Sequence, residues 1–259
     1  MFLKRLALLA IAGVAVLLVA IAGPRLMAGI QLAGAQDVVR QIRSGQGASF
    51  QGIMRAIDTR RAAARWDPGP RAQSELGEML LTLAALDQPE AAELRAELAA
   101  EAQAATQAAI LKSPTQPFAW TRYTQALALR TETERVRAGA AAADDGGISP
   151  VDGPLAMAIV TGPWQAELVP TRVEMGLYFW YRLSDFTRRL VAGQIFIAAR
   201  QDPERLAAVT RRQNALREVM AILLVENDLL QEFTRTYYYT QSIDRERSGR
   251  GAAGAGSAQ

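Results

Sequence analysis

Catalysis needs side chains that can move a proton, hold a metal or form a covalent intermediate, and this chain is poor in them. It has no histidine and no cysteine. That removes the usual general base, the Ser–His–Asp arrangement, thiolate chemistry, zinc–thiolate sites and disulfides. Its only lysines are Lys4 and Lys112. Carboxylates remain, and two pairs stand out by spacing. Glu132 and Glu134 sit in a charged stretch. Glu167 and Glu174 would share a helix face if that helix began early. A carboxylate-based glycan hydrolase must hold two such groups across a cleft with separated pKa values. Nothing in the spacing supplies that cleft, so the sequence predicts no catalytic residues, no cofactor and no metal site. Asp144 and Asp145 lack the spaced acids and terminal glutamate of a calcium-binding helix–loop–helix.

Binding chemistry is better represented. Tyr178, Phe179, Trp180 and Tyr181 are consecutive. On one helix they would point all around it, serving either as a sugar-stacking platform or as packing between elements. Tyr237, Tyr238 and Tyr239 repeat the theme near the end of the chain, where they could anchor a partner, lie near lipid headgroups or pack on a neighbouring helix. Arg188 and Arg189, with Arg211 and Arg212, could form a cationic face. Asp185, Asp202, Glu204 and Glu218 stand close enough in sequence to neutralise it.

The elements that position these residues follow from composition and periodicity. Of 259 residues, half are hydrophobic, enough for a real core. Alanine, leucine, arginine, glutamate and glutamine dominate, which favours helix over strand. The formal charge of +3 comes from interspersed acids and bases, unlike the field of a nucleic-acid binder, so no nucleic-acid partner is expected.

The N-terminus carries the clearest pattern. Lys4 and Arg5 precede an uncharged run from Leu6 to Gly23, and Pro24 and Arg25 follow. Such a run spans roughly 27 Å as a helix, close to the hydrocarbon thickness of a bilayer. An uncleaved transmembrane anchor within residues 1–30 is the favoured reading. A cleaved signal peptide, with Ala20–Ile21–Ala22 as its small-residue site, is the alternative. Lys4 and Arg5 place the N-terminus inside, against the opposing pull of Arg25, Arg40 and Arg43. In a bacterium the chain is then single-pass in the inner membrane with its main domain in the periplasm.

Beyond the anchor, proline and glycine punctuate a series of helices. The pattern predicts helices over 49–65, 71–86, 90–111 and 118–130 in a first lobe, residues 31–137. Residues 138–149 are small, acidic and glycine-rich, and read as a flexible linker. A second lobe over 150–242 has a short apolar helix at 155–160. Further helices follow over 169–183, from the Ser184–Asp185 cap to Arg200, and as one long helix over 204–239. Residues 243–259 have the composition of a disordered tail.

One junction is sharper than the rest. Pro114 closes the alanine-rich helix. Trp120, Tyr123 and Leu127 then recur at helical spacing, able to fill the groove of a neighbouring helix pair. Over these residues the chain resembles tetratricopeptide (TPR) repeats, although the 34-residue period is not maintained. The resemblance implies an all-α fold of antiparallel helix pairs, TPR-like or α-solenoid in type. Thr161–Gly162–Pro163, Arg172, Gln194 to Arg200 and Asp202–Pro203 also look like anchored helical-repeat proteins encoded beside bacterial exopolysaccharide genes. That likeness implies an accessory role in polysaccharide assembly or export.

The sequence therefore predicts a non-catalytic, membrane-anchored scaffold that binds protein partners, with polysaccharide as a further ligand. Its candidate interaction surface is Trp120, Tyr123, Tyr178, Trp180, Tyr181, Arg188, Arg189, Tyr237 and Tyr238. Two other readings stay open. One is a structural subunit of another membrane complex, secretory or respiratory, whose anchor packs laterally through Gly13 and the alanines at 7, 10, 12, 15, 20 and 22. The other is a carboxylate-based enzyme acting on glycans.

Overall fold

A computed structural model describes residues 2–43, 46–86, 89–138 and 147–255. Among these residues the chain is all-helical, with twelve α-helices and one 3-10 turn. They are α1 Phe2–Ala33, α2 Gln36–Arg43, α3 Phe50–Trp66, α4 Pro70–Ala84, α5 Pro89–Lys112 and α6 Pro117–Ala138. Then follow α7 Asp152–Val160, α8 Val169–Tyr178, the 3-10 turn Trp180–Arg182, α9 Asp185–Gln201, α10 Pro203–Arg212, α11 Leu216–Leu223 and α12 Asn227–Ala255. The chain divides into two compact units, 1–140 and 141–259. Most of the expected linker, residues 139–146, lies outside the described residues.

In the first unit, proline and serine set the helix starts. Pro70 opens α4 at its first turn, and Pro89 and Pro117 open α5 and α6. There the missing N–H costs nothing. Ser49 caps α3 by accepting a bond from the Gly52 amide at 3.1 Å. On α3, Ile53, Ala56, Ile57, Arg60 and Ala63 form the buried stripe. On α4 it is Leu76, Met79, Leu80 and Leu83. Both have the three-and-four spacing of a helix face turned to a core.

The contacts between these helices nest around their turns. Arg60 meets Glu75 across the α3–α4 turn at 3.9 Å. Arg95 donates to the Ala84 carbonyl at 3.0 Å near the α4–α5 turn, and Gly77 meets Thr106 farther away. Arg130 donates to Gln103 at 3.2 Å, with Ile110 and Ala119 clustered nearer the α5–α6 turn. Nested pairing of this kind means that α5 runs antiparallel to α4 and α6 antiparallel to α5. Longer-range ties cross the set. Arg61 holds Glu101 with two bonds, 2.7 and 2.5 Å, which raises the guanidinium pKa further. Arg122 reaches Ser74 at 2.6 Å and Glu78 at 2.5 Å.

The N-terminal helix α1 runs through Pro24 and continues to Ala33. Residues 11–22 are exposed throughout. Ala28 is the first residue of the helix to be buried against the body. The short α2, absent from the sequence reading, buries Val39. Among the described residues one helical stretch, Ile11–Ala33, is long and apolar enough to cross a membrane.

The second unit differs from the sequence expectation at several helix boundaries. The helix expected over 169–183 stops at Tyr178 and gives way to the 3-10 turn. The helix expected over 204–239 is three helices. Asn214 breaks it first, with φ of 51°, a left-handed conformation that asparagine tolerates. Leu224 to Glu226 break it again before Asn227. α12 continues to Ala255, across residues whose composition suggests an unstructured tail.

Candidate functional site

The residues singled out from sequence separate into three groups once placed. The first lies in the α5–α6 turn. Trp120 donates its indole N–H to the Pro114 carbonyl at 2.7 Å and meets Tyr123 edge to face at 6.3 Å. Both pack on Ala109, Ile110 and Ala119. These rings close the junction and are half-buried, so they belong to the packing of the turn.

The second group is the end of α8 and the start of α9. Here the four consecutive aromatics part company. Phe179 is buried and Tyr178 meets it edge to face at 4.8 Å. Tyr181 is exposed and its hydroxyl donates to the Glu218 carboxylate on α11. That bond, with the nearby negative charge, raises the phenol pKa above its ordinary value. Trp180 turns the other way. With Asp185, Arg188, Arg189 and Ala192 it lines a shallow cleft of about 360 Å³.

The electrostatics of this cleft favour an anion. Arg188 is held by Asp185 at 2.5 Å, one turn earlier on α9. Arg189 is exposed and has no ion-pair partner among the described residues. Phe186, three residues before it on the same outer face, is also exposed. A ring face beside guanidinium groups can hold an apolar sugar face together with a carboxylate or phosphate. Trp164, highly exposed in the turn before α8, was not anticipated. Only its place in the proline-bounded 161–168 turn could have signalled it.

The third group is committed to packing. Tyr237 is buried, and Arg211 lies over its ring at 5.5 Å while donating to its carbonyl at 3.3 Å and to Thr240 at 2.6 Å. Arg212 pairs with Glu174 at 3.0 Å. Arg211 and Arg212 are therefore engaged in their own contacts. Tyr238 is exposed.

The carboxylate pairs do not converge. Glu132 and Glu134 pair with Arg135 and Arg130 on the surface of α6. The helix carrying Glu174 begins at Val169, so Glu167 lies in the preceding turn rather than on the same helix. No group of three or more carboxylates able to hold a metal occurs among the described residues.

Residues 161–163, 172 and 194 do come together. Arg172 is fully buried and donates to the Gly162 carbonyl at 2.8 Å and to Gln194 at 3.4 Å. Gln194 in turn donates to the Pro163 carbonyl at 2.9 Å. The trio fixes the turn before α8. A neighbouring hollow of about 230 Å³ has Val173, Leu206 and Val209 on its walls. That is smaller than the cavities that usually enclose a small-molecule ligand.

Comparison with protein-family models, curated proteins and solved structures finds no match to this chain. What the geometry defines is a class: an all-helical protein with one N-terminal helix long and apolar enough to cross a membrane.

Proposed function

We propose that this chain is a non-catalytic, membrane-anchored helical scaffold. It sits once through a bacterial inner membrane, with its body in the periplasm, and holds protein partners of polysaccharide assembly or export. One observation carries the anchor: residues 11–22 of α1 are apolar and bare, and the same helix is first buried against the body at Ala28. A soluble core helix would be buried along this stretch. A signal peptide would have no reason to run unbroken into the packed body. Counted from Leu6 to Ala22, the uncharged stretch of the sequence is about 26 Å long as a helix, a bilayer's hydrocarbon depth.

The scaffold reading draws on the antiparallel α4–α6 series and its TPR-like closure at Pro114, Trp120 and Tyr123. Repeated helix pairs present extended surfaces, and a tether concentrates them near membrane partners. The Trp180–Arg188–Arg189 cleft supports an anionic glycan as a further ligand. The ion-paired Glu132, Glu134 and Glu174 support the non-catalytic part of the reading.

The test is membrane fractionation followed by crosslinked pull-down of the full-length protein and mass spectrometry. Polymer-export proteins, glycosyltransferases or bound polysaccharide in the membrane fraction support the scaffold. A stoichiometric complex of unrelated membrane subunits replaces it with the accessory-subunit reading. Soluble protein that has lost its first residues removes the anchor.

A further inference from the structure

The foot of α1 carries a cleft that the scaffold reading does not use. It measures about 850 Å³ and opens between α1, α2, α3 and the start of α4. Its charged lining is Arg25, Arg40, Arg60, Arg71, Asp67 and Glu75. Four guanidinium groups against two carboxylates leave an excess of positive charge.

The acids do not spread evenly over those arginines. Glu75 serves both Arg71, at 3.0 Å, and Arg60, at 3.9 Å. Arg40 has only the distant and very exposed Asp37, at 3.4 Å. Arg25 has no ion-pair partner among the described residues. The start of α4 faces the same space. Its cap residue, Gly69, offers no side-chain acceptor to the first-turn amides. Those amides add the positive end of a helix to the arginine cluster.

Position decides what anion this is for. On α1 the cleft takes Arg25, Ala28, Gly29 and Leu32, one stripe of the helix. The bare apolar segment ends at Ala22, three residues before Arg25. From Arg25 to Leu32 the helix rises about 10 Å, comparable to the headgroup layer of one leaflet. On other faces of α1, Leu26, Met27 and Ile30 are exposed. Those side chains suit the acyl–headgroup boundary better than open water. The cleft therefore stands at headgroup depth, with apolar Leu32 and Val39 among its walls.

We propose that this cleft seats the phosphate of an acidic phospholipid, clamped by Arg25 and Arg40 at the foot of the anchor. Guanidinium groups bind phosphate oxygens through paired, charge-assisted hydrogen bonds. The lipid would fix the body against the bilayer. This inference rests on the anchor reading, and the two can fail separately.

The experiment uses full-length protein in a neutral detergent, after membrane fractionation has tested the anchor by itself. The protein is mixed with equal amounts of phosphatidylglycerol and phosphatidylcholine, and native mass spectrometry counts the lipid retained. The wild type retains phosphatidylglycerol preferentially. Arg25→Gln and Arg40→Gln each cut that preference roughly fivefold, and the pair cuts it more. Both side chains are exposed, so the variants keep the wild-type melting temperature. Arg65→Gln, exposed and outside the cleft, leaves lipid retention unchanged. Equal retention of the two lipids overturns the proposal, as does a preference that survives in the double variant. A third arm adds inorganic phosphate alone. Thermal protection by phosphate without any lipid preference assigns the cleft to a soluble anion and overturns the lipid source.

Discussion

Among the described residues Arg172 is the largest side chain buried completely, and its cost shapes the second unit. Burial pushes its guanidinium down to about 10, still charged at neutral pH. Because the folded value is depressed, the penalty is present at every pH below about 10 and fades only as pH rises through that value. The bonds to Gly162 and Gln194 offset part of it and hold the turn before α8 in place. Arg172→Ala would leave those acceptors unsatisfied beside a cavity. The expected loss is about 3 kcal/mol, read as a lowered midpoint in urea unfolding. Arg172→Lys restores the charge without the planar fork and should recover only part of it. An unchanged midpoint in the alanine variant would show that the turn is held by other contacts.

At the scale of the element, helix starts are where sequence and structure agree best. Ser184 caps α9 by accepting from the Thr187 amide at 3.3 Å, and its hydroxyl also lies 3.0 Å from the Asp152 carboxylate. The Ser184 amide donates to the same carboxylate at 2.8 Å. One side chain thus ties α9 to the start of α7. Ser184→Ala should cost about 1–2 kcal/mol, and Ser184→Asp should fare worse than an ordinary cap exchange because it faces Asp152. Thermal melts of both variants check this, and equal stability would mean that the Asp152 contact contributes nothing. Such starts were legible because serine, aspartate and proline act within one turn of their own position. Helix ends inside apolar sequence were not. Leu224 and Val225 read as a continuation of α11, yet both are strongly exposed where the chain leaves it. The same limit left the arrangement of the candidate residues open. Tyr178 to Tyr181 announced an aromatic cluster, but a helix ending one residue before Phe179 decides which ring meets Arg188. Burial of Arg60 and Arg172 depends on neighbours far away in sequence, so no local pattern reports it.

At the scale of the molecule, the first unit can be cut at the point where α1 passes from bare to buried. Residues 11–22 bury nothing within the chain, whereas Ala28 packs on the body and Ala35 and Val39 join the core that α3 and α4 build. Two truncations should therefore behave differently. Removing residues 1–22 takes away the apolar stretch whose residues 11–22 bury nothing. The fragment should stay in solution, show a helical circular dichroism spectrum and melt within about 2 °C of the full-length protein in detergent. Removing residues 1–33 strips Ala28 and Leu32 from the cleft and uncovers the α2–α3 surface. Losing even two partly buried aliphatic contacts costs about 2 kcal/mol, a drop of roughly 5 °C or more for a unit of this size. The comparison also separates the functional readings. A self-sufficient scaffold survives the shorter cut as a folded monomer or a defined oligomer. A subunit whose body is completed by lateral membrane partners instead aggregates or melts without a cooperative transition once the bare segment is gone. That outcome would move the protein from scaffold to accessory subunit, because the bare helix would then be an interface as well as an anchor.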